Sequence, residues 1–415
     1  MFLGHVIALD PTVKQRRAMQ RAAGVARFTW NWALAEWNRQ YAAGEKPSAM
    51  RLQKQFNALK GERFPWILES PKDANARPFM NLGTAWANFF DSAKGKRGGR
   101  TVGRPSFKKK GRCADSFYVS NDQFRFHVDG RRVRLPVIGS VRIREPFRFV
   151  GKIVAGSVRC IAGRWFFSVK TDGEFREPTT PTHEIVGVDL GLKTAVVPSR
   201  GEPTDAPKPL RRSLRKLARA NRTLHRRKEG SSNRRKAREA LAIVHAMIAN
   251  VRKDFLHKTT TKIARETQAV VLEDLNVFGM QKNRKLARAM ADVGMGECRR
   301  QFEYKGPKFG CVVHIADRWF PSSKRCSGCG NVKDGLTLKQ RVYECGVCGL
   351  VMDRDLNAAC NLEMYPGLPG NGRKATPVDT VTSVRRPRRA SVVVEAGTET
   401  MTLHVSESRM WGTPS

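Results

Sequence analysis

Apolar and polar positions along the chain repeat first with helical spacing, then with strand spacing, then with both in alternation. Leu3 to Leu9 reads as a short strand closed by Asp10-Pro11. A helical stretch from about Val13 to Tyr41 follows, with Trp30, Trp32 and Trp37 set among Arg and Ala. A second helical region runs from about Ser48 to Phe90 and breaks near Pro65 and Pro71. Residues 116 to 172 switch to strand chemistry. Arg132 to Arg144 mixes Arg with Val, Leu and Ile, Trp165 to Val169 is strand-like, and Asp129-Gly130 and Ala162-Gly163 mark turns. This pattern predicts a small antiparallel barrel with one basic face, ended by a linker at Pro178 to Pro181. After a strand-like stretch at 184–199, residues 210–255 read as a helical hairpin. Leu210, Leu214, Leu217 and Leu224 form one stripe, Leu241, Val244, Ile248, Val251 and Phe255 the other, and Glu229 to Asn233 the turn.

Two nearly continuous apolar runs stand apart, as central strands covered on both faces should. Ile185 to Leu192 carries one charge, Asp189, and Ala269 to Leu275 ends in Glu273 and Asp274. Alternation puts Glu273 on the face of Ala269 and Val271, with Asp274 opposite. A helix begins at Asp355, and its small residues Ala358 and Ala359 permit close packing. The fold class is therefore multidomain α+β.

Charge changes the picture from fold to partner. The 415 residues hold 77 Lys plus Arg against 37 Asp plus Glu, a net charge of +40. A surplus of that size points to a polyanion, nucleic acid first. The 40% hydrophobic content excludes a wholly disordered basic tail. The longest weakly charged apolar run, Ala240 to Val251, is too short to cross a bilayer, and Met1 to Leu9 lacks a basic leader, so a cytoplasmic protein is expected. Basic residues concentrate in two places. The segment 94–112 packs nine Lys or Arg and five Gly into 19 residues and reads as a flexible connector, with Lys94, Lys96, Arg97, Arg100, Arg104, Lys108 and Lys109 as candidate phosphate contacts. The first arm of the helical hairpin turns Arg211, Arg215, Arg219 and Arg226 outward, where like charges repel unless an anion neutralises them. A further Arg cluster, 385–389, lies in a tail, 367–415, whose composition suits disorder.

In so basic a chain, carboxylates on apolar elements are the candidate chemistry. Singly, Asp189 also suits a turn cap and Asp355 a helix cap. Converging, Asp189, Glu273 and Asp355 would repel one another unless divalent cations sat between them. Such a cluster suits two Mg²⁺ about 4 Å apart, arranged for phosphodiester hydrolysis. The strand-turn Val188 to Gly191 also resembles the first phosphate loop of actin-like ATPases. The second loop they need has only Asp292 to Gly296 as a candidate, which lacks the following Thr and runs into a helix.

Nine cysteines without a signal peptide suit a reducing interior. Cys113, Cys160, Cys298, Cys311 and Cys360 read as buried thiols. Cys326 and Cys329 form one C-x2-C pair, Cys345 and Cys348 another, each followed by Gly. Four thiolates so spaced suit one closed, structural Zn²⁺ site. Disulfides or an iron–sulfur cluster are the alternatives.

The motifs GVDLG at 187–191, VVLEDL at 270–275, CSGCG and ECGVCG within 326–349, and DRDLNAACNL at 353–362 occur together in this order. With Pro11-Thr12-x2-Gln15, Gly103-x-Pro105-x-Phe107-Lys108 and Phe302-Glu303-Tyr304-Lys305, the chain resembles TnpB proteins, transposon-encoded relatives of the miniature type V CRISPR effectors. The resemblance covers about 1–366. It implies a RuvC-type, ribonuclease-H-like core at 181–320 and 351–366, a zinc ribbon at 321–350, and a wedge β-barrel at 1–12 and 107–180 with a helical recognition domain, 13–106, inserted. It implies that Asp189, Glu273 and Asp355 are the catalytic triad, with Asp274 and Asp353 as neighbours. It also implies guide RNA from the transposon end, double-stranded target DNA cut beside a short motif, and a protein that acts on the nucleoid, expected as a monomer. A DNA-binding repressor that no longer cuts and a strand-joining transposase are the rival functions; an unbroken triad speaks against the first.

Overall fold

The computed structural model describes residues 2–97, 101–147, 151–173, 181–337 and 340–368. Arg100 and the tail beyond 368 lie outside the described residues. The chain divides into two compact units, one ending at Glu174 and the other beginning at Phe175.

The first unit starts with β1 (Phe2–Asp10), and Pro11-Thr12 turns it directly into α1 (Val13–Ala42). Thr12 and Gln15 form a capping box: the Gln15 N–H donates to the Thr12 hydroxyl, and the Thr12 N–H donates to the Gln15 side chain. α2 (Ala49–Arg63), a 3₁₀ turn (Pro65–Glu69) and α3 (Lys72–Ala93) follow, so the breaks fall at the two prolines. The strands β2 (Ser116–Ser120), β3 (Arg125–Phe126), β4 (Arg132–Leu135), β5 (Gly139–Ile143), β6 (Lys152–Ile161) and β7 (Arg164–Asp172) join β1 in a seven-stranded sheet, ordered β2-β6-β7-β1-β5-β4-β3. Every pairing is antiparallel. β1 carries the sheet across by changing partner: Phe2 to Ala8 pair with β7, Leu9 and Asp10 with β5. At the β6–β7 turn both Ala162 and Gly163 have positive φ, as tight hairpins require.

The helices and the sheet bury one continuous core, in which Met19, Leu34, Phe56 and Phe79 join Ile7, Phe117, Phe167 and Val169. One expectation for this unit needs correction: the described part of the 94–112 segment is not a free connector at residues 106–108. The Trp30 indole donates to the Ser106 carbonyl at 3.0 Å, and Asn31 exchanges hydrogen bonds with the Lys108 backbone at 2.7 and 2.9 Å.

The second unit contains β8 (His183–Asp189), β9 (Thr194–Pro198), β10 (Thr204–Asp205), α4 (Pro209–His225), α5 (Ser232–Glu266), β11 (Thr267–Glu273), α6 (Val277–Lys282), α7 (Ala287–Val293), α8 (Met295–Phe309), β12 (Val312–Ala316), β13 (Val342–Glu344), β14 (Val351–Asp353) and α9 (Arg354–Glu363). Its five-stranded sheet runs β10-β9-β8-β11-β12. β11 lies parallel to both β8 and β12, while β9 is antiparallel to β8. Parallel neighbours need long crossovers, which the helices supply. One face, with Val186, Val188, Val270 and Leu272, packs on Leu256, Met290 and Phe302. The other face, with Val271, packs on Leu362 of α9. The α4–α5 hairpin closes on Leu217, Leu241, Val244 and Ile248, as its stripes predict. The fold is thus mixed α/β. Among the described residues no helix is long and apolar enough to cross a membrane.

Candidate active site and metal centre

Parallel pairing delivers the first two carboxylates to one edge. Val188 is the register partner of Leu272, so the next residues, Asp189 and Glu273, end adjacent strands at the same side of the sheet. Such strands lie about 4.8 Å apart. The third carboxylate arrives on α9, which seats directly on β8. A Cβ at Gly187 would lie 2.0 Å from the Ala359 carbonyl oxygen and 2.4 Å from the Glu363 nitrogen, so only glycine permits this approach. Ala358 and Ala359 are buried against it.

Asp355 is free for chemistry because another residue caps its helix. Asp353 accepts from the backbone N–H of Asp355 at 2.9 Å and of Leu356 at 3.1 Å. The Asp355 carboxylate instead meets the Arg354 guanidinium at 3.4 Å and that of Arg341 at 3.7 Å. Glu273 accepts a hydrogen bond from the Ser322 hydroxyl. Its neighbour Asp274 points elsewhere, between Arg299, at 2.6 Å, and Arg318. Against the upward push of burial, those two arginines hold Asp274 below the usual carboxylate range. It is already neutralised.

The trio is not. Burial, then the charges of Glu273 and Asp355, push Asp189 up to about 8, with Arg354 pulling the other way. Burial also raises Glu273, opposed by the Ser322 hydroxyl and assisted by Asp355. Two carboxylates whose ionisation burial opposes, with a third beside them, suit a hard divalent cation that takes carboxylate oxygens as ligands. Among the described residues, the group of potential metal ligands whose ligand atoms all lie within 4.8 Å of one another is a cysteine cluster.

That cluster joins Cys326, Cys329, Cys345 and Cys348. The Cys326 and Cys348 sulfurs, and those of Cys329 and Cys345, are 3.6 Å apart. A Zn–S bond of about 2.3 Å gives tetrahedral sulfur separations of about 3.8 Å. The thiols therefore fit one zinc with four ligands and no open position. Backbone N–H groups of Cys348 and Val347 lower the pKa of the Cys345 thiol, which favours the thiolate form that a metal ligand takes. β14 leads from the last cysteine straight into α9, so this knot anchors the start of the helix bearing Asp355.

The basic candidates separate. Arg211, Arg215 and Arg219 are exposed on α4 and Arg226 just past its end, and Lys94, Lys96, Arg97, Arg104 and Lys109 are exposed in the other unit. Lys108 is not available in the same way: its ammonium sits 3.8 Å from the Trp30 ring centroid, and desolvation lowers its pKa. Asp292, the residue of the rival ATPase loop, is buried and caps α4, accepting from the N–H groups of Leu210 and Arg211 at 2.8 and 2.9 Å. Of the five single cysteines, Cys298 and Cys311 are buried, while Cys113, Cys160 and Cys360 are only partly so. Sequence reasoning missed Ser322, Arg341 and Arg354. The available signal was position alone, since Ser322 and Arg341 lie within the ribbon segment and Arg354 just beyond it.

A family model described as "Probable transposase" matches residues 166–284, and one described as "Cas12f1-like, TNB domain" matches 296–362. A helix-turn-helix model matches 1–46, where the structure has one strand and one long helix. A Streptomyces pristinaespiralis protein named as an RNA-guided DNA endonuclease is 37% identical over 85% of this chain and 86% of its own. InsQ of Escherichia coli (strain K12), named likewise, is 30% identical over 85% and 90%. Among solved structures, a Cas12f1–sgRNA–target DNA complex aligns with 84% of this chain and 81% of its own at 14% identity, TM-score 0.47.

Proposed function

The chain belongs to the TnpB family, and on that premise we propose that it is a transposon-encoded, RNA-guided DNA endonuclease that hydrolyses phosphodiester bonds at Asp189, Glu273 and Asp355. The observation that carries this reading is geometric: Asp189 and Glu273 end adjacent parallel strands, and α9, which bears Asp355, is seated against β8 at Gly187. When bound there, Mg²⁺ ions supply an activated water and neutralise the leaving oxygen. Asp189 and Glu273 hold their share of the ligand set from adjacent strand ends, and Asp355 completes it from α9. Asp274 stays between its arginines and fixes the end of β11. The four cysteines hold structural zinc.

On this reading residues 181–320 and 351–366 are the RuvC-type nuclease core, 321–350 the ribbon, 1–12 and 107–180 the wedge domain, and 13–106 the recognition helices. Guide RNA from the transposon end and double-stranded DNA with a short flanking motif are the polyanions that the +40 charge serves. The exposed arginines of α4 are assigned to phosphate contacts.

The test is the nucleic acid the protein carries and what it then cuts. Protein expressed beside its transposon end should co-purify with one abundant RNA and, with Mg²⁺, linearise a plasmid matching that RNA. Asp189→Ala should keep the RNA and lose the cutting. Absence of a bound RNA, or undiminished cutting by Asp189→Ala, sinks the proposal.

A further inference from the structure

Trp319 is 85% exposed, far more than any other tryptophan among the described residues; Trp66, the next, is 45% exposed. Exposure at that level leaves the face of the indole open to a flat partner. It is also not on a loose loop. The Trp319 N–H donates to the Asp317 carboxylate at 2.8 Å, and the Phe320 N–H to the Asp317 carbonyl at 3.1 Å. The Asp317 N–H in turn donates to the Tyr365 hydroxyl, and the Phe320 ring packs edge-on against Tyr365 at 5.0 Å.

The same short segment reaches the end of β11 from both sides of Trp319. Arg318, before it, ion-pairs with Asp274, and Ser322, after it, hydrogen-bonds Glu273. Register fixes the distance further. Ala316 is the strand partner of Glu273, and Trp319 lies three residues beyond Ala316. Three residues span at most about 11 Å. The Trp319 backbone is therefore held near the end of β11 that carries Glu273, with Arg318 immediately before it in sequence and Lys324 five residues after it, both exposed.

We infer that Trp319 is a stacking platform for one base of the single strand that enters the carboxylate site, and so a positioning residue for strand cleavage. This rests on the nuclease reading above. A rigidly held, exposed aromatic ring is a surface that single-stranded nucleic acid recognises, because an unpaired base offers its flat face for stacking. A duplex would hide that face. The arrangement would fix how far along the strand the scissile phosphate lies, with the phosphate over Asp189 and Glu273 and a nearby base on Trp319.

The test is single-turnover cleavage by the guide-loaded complex of a pre-opened target strand, with one nucleotide at a time made abasic. Wild type should show a rise of about 5- to 150-fold in the half-saturating concentration at one abasic position. Trp319→Ala should show that loss on the intact strand and no further loss at that position, and Trp319→Phe should recover most of it. The rate at saturating strand should change less than the half-saturation. A flat abasic scan in wild type, or Trp319→Ala with unchanged half-saturation, overturns the inference. So does a Trp319→Ala loss that tracks no strand position, which would assign the indole to a protein contact. If wild-type complex with bound RNA cuts nothing, the nuclease reading falls and takes this inference with it. If cutting is normal and only the scan is flat, the stacking role alone falls.

Discussion

The seat of α9 on β8 offers the sharpest single-atom perturbation. Gly187→Ala adds one methyl group at a backbone conformation alanine can adopt, since this glycine is not among those with positive φ. The new carbon would sit 2.0 Å from the Ala359 oxygen, 2.4 Å from the Glu363 nitrogen and 2.8 Å from the Leu362 Cβ. Carbon–oxygen contacts of this kind close to about 3.3 Å at the tightest. Two of the three obstacles are backbone, so no rotamer change relieves them, and α9 must retreat by more than about 1 Å. Overpacking of this order costs about 1–3 kcal/mol, or somewhat more. For a unit of this size that lowers Tm by roughly 2–4 °C per kcal/mol. A misplacement of about 1 Å at a catalytic group costs on the order of 10²-fold in rate. The assay pairs thermal unfolding with single-turnover DNA cleavage. Gly187→Ala should lower both, and cleavage by about 10²-fold. Gly335→Ala, whose Cβ would meet nothing within 4 Å, should change neither. A Gly187→Ala protein that cuts within threefold of wild type refutes the claim that close seating of α9 sets the geometry of Asp355.

Other outcomes follow from the same contacts. Asp189 is raised to about 8 in the folded chain against about 3.9 unfolded, so between those values the folded state holds the extra proton and stability falls as pH rises. Asp189→Asn should therefore unfold later than wild type at pH 8 in a chelator and show no such advantage at pH 4; equal melting at pH 8 would contradict the strain. Asp353→Ala removes the cap of α9 and should cost about 1 kcal/mol, with Asp353→Ser restoring most of it in thermal melts. Replacing Cys326 and Cys329 with Ser should take zinc from one equivalent to none by elemental analysis and lower Tm; unchanged metal content would refute the four-thiolate site.

Much of this was legible because the relevant signals are local. Helix α1 and the breaks at Pro65 and Pro71 follow from a capping box and two prolines. Alternation along β11 separated Glu273 from Asp274, and the structure sends the latter to Arg299 and Arg318. The small pair Ala358-Ala359 announced close packing, although its partner, Gly187, was not picked out. What failed depends on contacts distant in sequence. Nothing in KGKRGGRTVGRPSFKKKGR says that Lys108 lies over Trp30, 78 residues away, so a pinned segment read as a loose one. The β4–β5 turn was missed because Val137 takes positive φ there, a conformation β-branched residues avoid. Ser322 and the arginines around Asp355 belong to the ribbon's packing, which no periodicity encodes.

The central claim is that three carboxylates drawn from two strand ends and one helix form a single cation-dependent cutting site. The direct measurement is cleavage of a plasmid matched to the bound RNA, with Mg²⁺, by wild type and by Asp189→Asn, Glu273→Gln and Asp355→Asn in turn. Wild type should linearise the plasmid, and each variant should retain the RNA and leave the plasmid intact. A variant that still cuts at the wild-type rate would remove that carboxylate from the site, and cutting by all three would contradict the account.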